Sequence, residues 1–242
     1  MDKTRFTVIL LILVILLGCS SKEPLPDPIV PDYLPLKRGG FQTYLVDSVV
    51  VKQNVETTYS FELKTMVTDS FPNAEGGFTF VIQRFKRITS SSPWIAQGSW
   101  SGRVSSFQAV INEGNISYIK MASPLGNGKA WDGNALNRIG GTEKCLDRDS
   151  HTCDIYQIGS FAKPYTASPG KTFDNTVTII QNDNKDLIVA QDKRSEVYAL
   201  KTGLVYREII FLEYCTDTSC VGTQFVTTGL KYKQTISDYG GL

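Results

Sequence analysis

Between Phe41 and the C-terminus, apolar residues recur at every second position far more often than at every third or fourth. In Tyr59-Ser60-Phe61-Glu62-Leu63-Lys64-Thr65-Met66-Val67 the two classes mostly alternate, the signature of a strand with one buried face. Phe78, Phe80 and Ile82 repeat the pattern, and Pro72-Asn73-Ala74-Glu75-Gly76-Gly77 between the two runs supplies hairpin chemistry. Further strands are expected around Trp100–Ile111 and Ile116–Met121, joined by Asn112-Glu113-Gly114-Asn115. Pro124–Gly141, with five glycines and three asparagines around Trp131, reads as a long ordered loop. Strands resume near Asp154–Phe161, Thr176–Gln181 and Leu187–Gln191. Asp192–Leu200 reads as one short helix, opening on an N-cap aspartate and stopping before Gly203. The apolar strand Leu204–Tyr214, interrupted by Arg207, Glu208 and Glu213, and a last strand Gln224–Ile236 complete the series. No alternation of strands with helices is present to build a parallel sheet. The expected fold is therefore mainly β: a single antiparallel domain of about eight to ten strands. A strongly curved sheet or half-barrel is favoured, with a sandwich as the alternative.

The N-terminus follows a different rule. Lys3 and Arg5 precede an unbroken apolar run, Phe6–Leu17, which ends in Gly18-Cys19. Twelve apolar residues are too few to span a bilayer, which needs about twenty, and suit a signal peptide. The cysteine after the cut matches a bacterial lipobox, so Cys19 is the expected site of lipidation by palmitate-type acyl chains. Residues 1–18 are then the lipoprotein signal peptide and 19–32 a lipidated tether. Pro24, Pro26, Pro28 and Pro31 keep that tether extended. Residues 33–242 form the β-rich domain. Two or three acyl chains, at about 0.8 kcal/mol per buried methylene, hold such a body to a membrane permanently.

Charge removes one class of function. Cleavage discards Asp2, Lys3 and Arg5 and leaves 23 basic residues against 23 acidic. Without a basic patch interleaved with aromatics, nucleic acid is not an expected partner. Four cysteines remain after Cys19: Cys145, Cys153, Cys215 and Cys220. In an exported chain an even count in two close pairs reads as disulfides. Three connectivities are open, and Cys145–Cys153 with Cys215–Cys220 is favoured because each pair flanks a polar, turn-like segment. The alternative is a zinc site built from Cys145, His151, Cys153 and a later cysteine. It lacks a C-x-x-C knuckle, so no metal is expected.

Three patches carry a family likeness. Tyr33-Leu34-Pro35-Leu36 with Gly39 and Tyr44-Leu45-Val46-Asp47-Ser48 resembles the start of uncharacterised envelope lipoproteins of the Bacteroidota. Trp131-Asp132-Gly133-Asn134 resembles their mid-chain loop, and Glu196-Val197-Tyr198-Ala199 with Gly203-Leu204-Val205-Tyr206 their C-terminal motif. The resemblance implies an envelope location and a β-rich fold, and brings no catalytic residue.

Catalytic constellations are sparse. The one histidine, His151, sits among Asp147, Arg148, Asp149 and Ser150, a poor setting for an oriented imidazole. Gly98-Ser99-Trp100-Ser101-Gly102 has tryptophan where a nucleophile elbow needs serine. No P-loop, dinucleotide fingerprint or His-Glu-x-x-His helix is present, so neither an enzyme nor a cofactor is expected. Paired carboxylates for glycoside hydrolysis would come from Asp132, Asp147 or Asp149. Trp94, Trp100 and Trp131 are the candidate ligand-binding residues, as platforms for sugar rings. Asp47-Ser48-Val49 resembles a short O-glycosylation motif.

The expected function is that of a membrane-anchored, non-catalytic envelope lipoprotein at the outer membrane, its side left open. It would bind a protein partner or support assembly. The alternatives are a ligand-binding module, for an apolar molecule or a glycan, and a hydrolase using carboxylates. The cysteine reading makes a direct prediction. Non-reducing peptide mapping of the mature protein should recover Cys145–Cys153 and Cys215–Cys220, without zinc. A Cys153–Cys215 link, or free thiols with one zinc per chain, would refute it.

Overall fold

The computed structural model describes residues 33–137, 154–184 and 188–242. They form twelve strands and a single 3-10 turn, Ala135–Asn137. The strands are β1 (Phe41–Lys52), β2 (Val55–Pro72), β3 (Phe78–Arg87), β4 (Ile95–Val104), β5 (Gln108–Glu113) and β6 (Ile116–Ala122). They continue with β7 (Ala130–Asp132), β8 (Ile155–Ser168), β9 (Lys171–Asn184), β10 (Ala190–Ala199), β11 (Gly203–Tyr214) and β12 (Val226–Gly240). All lie in one antiparallel sheet of order β6-β5-β4-β3-β2-β1-β12-β11-β10-β9-β8-β7. Each strand thus pairs with its sequence neighbours, except that β6 and β7 form the two edges, and the first and last strands join in the middle, from Phe41 against Gly240 to Lys52 against Thr228.

The sheet curls until its two edges meet. The free edge of β6 is satisfied by the segment that follows β7: the Ile119 amide donates to the Gly133 carbonyl (2.8 Å). The Asn137 side chain bonds both the amide and the carbonyl of Ser117, each at 2.8 Å. Trp131 Nε1 donates to the Ile119 carbonyl (2.7 Å), while its ring stands edge-on to Tyr156. Closure of this kind removes the exposed ladder that makes edge strands prone to association. Gly133 is needed there, because a Cβ would run into the Tyr156 ring. Curvature comes from register shifts, which bend and twist the strands that carry them. Four fall along β8–β9 alone. That hairpin's distal half leans over the outside of the sheet, with Tyr165 on Tyr206 and Phe173 on Tyr239.

The inward face of the strands makes the core, with Tyr44 and Val46 on β1, Leu63 and Val67 on β2, Ile82 on β3 and Ile158 on β8. Tyr33 and Leu34 belong to it as well. The segment Tyr33–Leu36 is a strap across the mouth of the lumen. Tyr33 Oη donates to Asn175 at 2.5 Å, and Leu36 reaches the space above Gly102. Because connections alternate between ends, the strap shares its end with the β2–β3, β4–β5, β6–β7, β8–β9 and β10–β11 connections. The other turns define the far end.

Several expectations are corrected. The strand count is twelve. Asp192–Leu200 is not a helix: nearly all of it is β10, hydrogen-bonded on both edges to β9 and β11. Its helix-like charges have cross-strand partners, as in Lys193 with Glu208 at 2.7 Å and Arg194 with Asp154 at 3.0 Å. The run Trp100–Ile111 is two strands, because Ser105 Oγ accepts from the amides of Phe107 and Gln108 and turns the chain. The loop Pro124–Gly141 contains β7 and the 3-10 turn, and its tail lies outside the described residues. Leu187 also lies outside them, and β10 begins only at Ala190.

Gly203 has the expected left-handed backbone, φ 90°, but in a hairpin turn rather than behind a helix. A Cβ there would sit 2.8 Å from Gln42 Nε2, which donates to the Thr202 carbonyl (2.9 Å). Gly203→Ala should therefore lower the stability by about 1–2 kcal/mol, from backbone strain plus a displaced hydrogen bond. An unchanged denaturant midpoint would contradict this geometry.

Candidate functional site

Four charged side chains meet inside the barrel. Glu113 comes from β5, Lys120 from β6, Glu196 from β10 and Arg207 from β11. Five strands stand between β5 and β11 in the sheet, so the group spans the lumen. Lys120 Nζ lies 2.8 Å from Glu113 and 3.0 Å from Glu196; Arg207 lies 2.9 Å from Glu113 and 2.5 Å from Glu196. The four contacts close a ring in which each charge touches two of opposite sign. Tyr198 Oη donates to the other Glu196 oxygen at 2.6 Å. Glu196 and Lys120 are 1% and 4% exposed, so desolvation is severe and only a complete set of partners makes the arrangement tolerable.

The titration of these groups says what the ring can do. Burial alone would raise the Glu196 pKa, but Arg207 and Lys120, with the Tyr198 hydroxyl, outweigh it and bring it down to about 2. Glu113 is likewise lowered, burial being opposed by Arg207 and Lys120. Burial and the adjacent Glu196 carboxylate push Tyr198 well up, which keeps it a proton donor. An acid–base pair needs two carboxyls whose pKa values are driven apart. Here both move down, so both stay ionised and the ring holds charge instead of exchanging protons.

Above the ring, beneath the strap, lies a cavity of about 70 Å³. Leu34, Leu36, Met66, Trp100 and Leu204 give it mainly apolar walls, and Arg207 contributes a polar side. Space for a water is roughly 10–15 Å³ on this measure, so it holds about five. That is well short of a lipid's acyl chains.

The three tryptophans are dispersed. Trp100 faces the lumen, with the Arg84 guanidinium 3.9 Å from its ring centre and that of Arg207 at 5.9 Å. Trp131 seals the seam. Trp94, in the β3–β4 connection at the far end, carries Arg87 at 4.3 Å. Asp132 accepts from the Asn134 amide at 3.0 Å, a turn-forming role. Cys215 and Cys220 are joined as a disulfide in the β11–β12 connection, as expected. Asp217 lies beside them, but paired sulfurs offer no thiolate to a metal. Asp47-Ser48-Val49 lies within β1, with Asp47 accepting from Ser60 Oγ (2.7 Å). Cys19, the tether, Cys145, Asp147, Asp149, His151 and Cys153 lie outside the described residues.

No family model matches the chain, and no curated protein does. Two solved structures share a broad likeness. One is described as an exported protein with a YmcC-like fold, from Bacteroides fragilis, with TM-score 0.44 and 11% identity over 86% of this chain and 98% of that one. The other is described as a lipoprotein, from Parabacteroides distasonis, with TM-score 0.39 and 12% identity over the same shares of each chain. Likeness this distant carries nothing about function.

A second surface feature separates the two ends. At the far end every described turn carries an exposed aliphatic residue: Val55, Ile88 with Ile95, Ile116, Ile188 with Val189, and Val221. The strap end instead exposes Phe71, Phe78 and Phe107, on two neighbouring hairpins.

Sequence reading passed over the ring, although one signal was present. Lys120 and Arg207 fall inside apolar strands where solvent-facing positions alone would admit a lone charge.

Glu196→Gln leaves two cations facing one carboxylate and should destabilise the fold by about 3 kcal/mol or more. Since folding depresses the Glu196 pKa, its contribution is complete above the ordinary glutamate value of 4.5 and is lost as pH falls toward about 2. Denaturant midpoints measured across that window should fall steeply for the wild type and less steeply for Glu196→Gln. Parallel curves would show that Glu196 is not the group lost.

Proposed function

We propose that this chain is a lipid-anchored bacterial envelope protein whose barrel-like body docks a protein partner through the far end. The observation that carries the reading is the ring of exposed aliphatic turns on that end. Single exposed apolar residues are ordinary on a soluble surface, but here one recurs at every described turn of one end of the barrel, which spaces apolar side chains around that rim.

Polarity of attachment favours a protein as the occupant over the bilayer. The strap that continues into the tether lies at the opposite end, so lipid on Cys19 holds the phenylalanine-bearing end toward the membrane. The aliphatic rim then projects outward. Small non-obligate interfaces use such apolar centres within a polar surround. A non-catalytic role is further supported by the ring, whose carboxylates are held ionised, and by the lumen, which the strap and core side chains largely fill. Residence at the outer membrane belongs to the same proposal and rests on the lipobox and the family likeness.

Two measurements test it. Cys19→Ala should abolish labelling by a fatty-acid analogue and release the body from the membrane fraction; undiminished label would refute the anchor. In-cell crosslinking of the native protein should give discrete adducts that a far-end double variant, Val55→Glu with Ile95→Glu, loses and Phe107→Glu keeps. Adducts insensitive to the far-end variant would overturn the docking assignment.

A further inference from the structure

Two hairpin tips at the strap end stand clear of the sheet. β1 pairs with β2 only as far as Phe41 opposite Met66, so Thr68–Pro72 and the turn after them have no strand on that side. At about 3.3 Å per residue this arm overhangs by roughly 15 Å. Phe71 opposes Thr79 and Phe78 opposes Pro72, which puts the two rings on opposite faces of the arm. They are 51% and 54% exposed, and Phe107, in the β4–β5 turn, is 76% exposed. An ion pair between Glu75 and Arg103 (3.3 Å) ties one tip to the other. Three open phenylalanines on two joined tips are a cluster, unlike scattered surface exposure.

The tips are self-contained in their polar groups. Asn73 Oδ1 accepts from the amides of Glu75 and Gly77, each at 3.0 Å, and the Asn73 amide donates to the Gly77 carbonyl at 2.9 Å. In the second tip Ser105 Oγ accepts from the Phe107 and Gln108 amides, and the Ser105 amide donates to the Gln108 carbonyl. Backbone groups paired in this way lower the cost of leaving water, whereas open ones would bar the tips from an apolar medium. Charges are matched as well. Arg38 faces Asp69 at 3.7 Å, and Lys37 donates to a Leu242 oxygen at 3.4 Å. Lys129 and Lys201, in the β6–β7 and β10–β11 connections, form no ion pair among the described residues, so what is left unmatched at these turns is positive.

The tether decides what meets the tips. Cys19–Asp32 is fourteen residues, a reach of about 40 Å at about 3.1 Å each. β1, with twelve residues, is itself about 40 Å long. Bringing the far end to the membrane that holds Cys19 would nearly exhaust the tether, while the strap end arrives with chain to spare. A tether this short also holds the tips near the surface at an effective concentration on the order of mM, so that weak contacts are occupied.

We infer that Phe71, Phe78 and Phe107 enter the interface of the bilayer that carries the lipid, making the two tips a second, non-covalent membrane contact. Lys129 and Lys201 would face anionic headgroups. The inference rests on the anchor proposed above and is independent of the far-end rim.

The test uses the acylated full chain in vesicles of phosphatidylcholine and phosphatidylglycerol, with lipid brominated high in its acyl chains as quencher. Phe71→Trp and Phe107→Trp each add a fluorophore at an open position. Entry by about 5–10 Å should shift the added emission to the blue and let the brominated lipid remove most of it. Val55→Trp, at the far end, should keep a water-exposed emission that the lipid does not quench. Flotation of the same samples with the vesicles reads the anchor separately. A chain that fails to float has lost the anchor, and this contact with it. A chain that floats with either strap-end tryptophan unquenched keeps the anchor and overturns the contact. Equal quenching of Phe107→Trp and Val55→Trp would overturn it too, since the body would then show no preference for its strap end.

Discussion

Two carboxylates and two cations, drawn from opposite walls, are held together where water scarcely reaches them. Each would be prohibitively costly alone, since transfer of a single ion out of water costs several kcal/mol even after relaxation. The ring is tolerable only when β5 and β6 face β10 and β11 across the lumen. The curl of the sheet and the pairing of the charges are thus one event. A flatter sheet would leave four desolvated or dangling ions, and an uncharged lumen would lose the directional contacts that hold the two walls in one arrangement. The seam at Ile119 and Gly133 completes from the backbone side what the ring secures from within.

This dependence explains where sequence reading succeeded. Period-two alternation and turn chemistry are local, and they found the hairpin at Pro72–Gly77, the Asn112–Asn115 turn and the last two strands. Asp192–Leu200 was misread because a stretch such as Asp-Lys-Arg-Ser-Glu, taken alone, has helical composition. What makes it a strand is that Arg194 meets Asp154 and that Glu196 meets Arg207 and Lys120, contacts between distant segments. The Gly203 backbone was legible for another reason, because a left-handed residue is wanted at a tight reversal whichever element precedes it. The ring itself was hidden by the same logic. Glu113 looked like turn chemistry and Arg207 like an interruption, since nothing in one strand reveals the partner that neutralises its charge.

The body divides its surfaces by chemistry. Its inside is occupied by core side chains, the strap and the ionic ring, with a small cavity remaining. Its strap end carries aromatic side chains and continues toward the tether, and its far end carries aliphatic ones. The two ends thus present different chemistries to whatever lies beyond them. Most of the length of the barrel lies between them.

The central ladder has a consequence for how the molecule is made. β1 is the first strand synthesised and β12 the last, yet they pair over their whole lengths. Closing a loop that long is entropically slow, and contacts so distant in sequence belong to folds that form late. As the chain leaves the ribosome N-terminus first, β1 can recruit β2 at once but must wait for the last strand before its other edge is covered. Until then it offers an open strand edge, a period of exposure to aggregation that ends only when β12 has been made and docked.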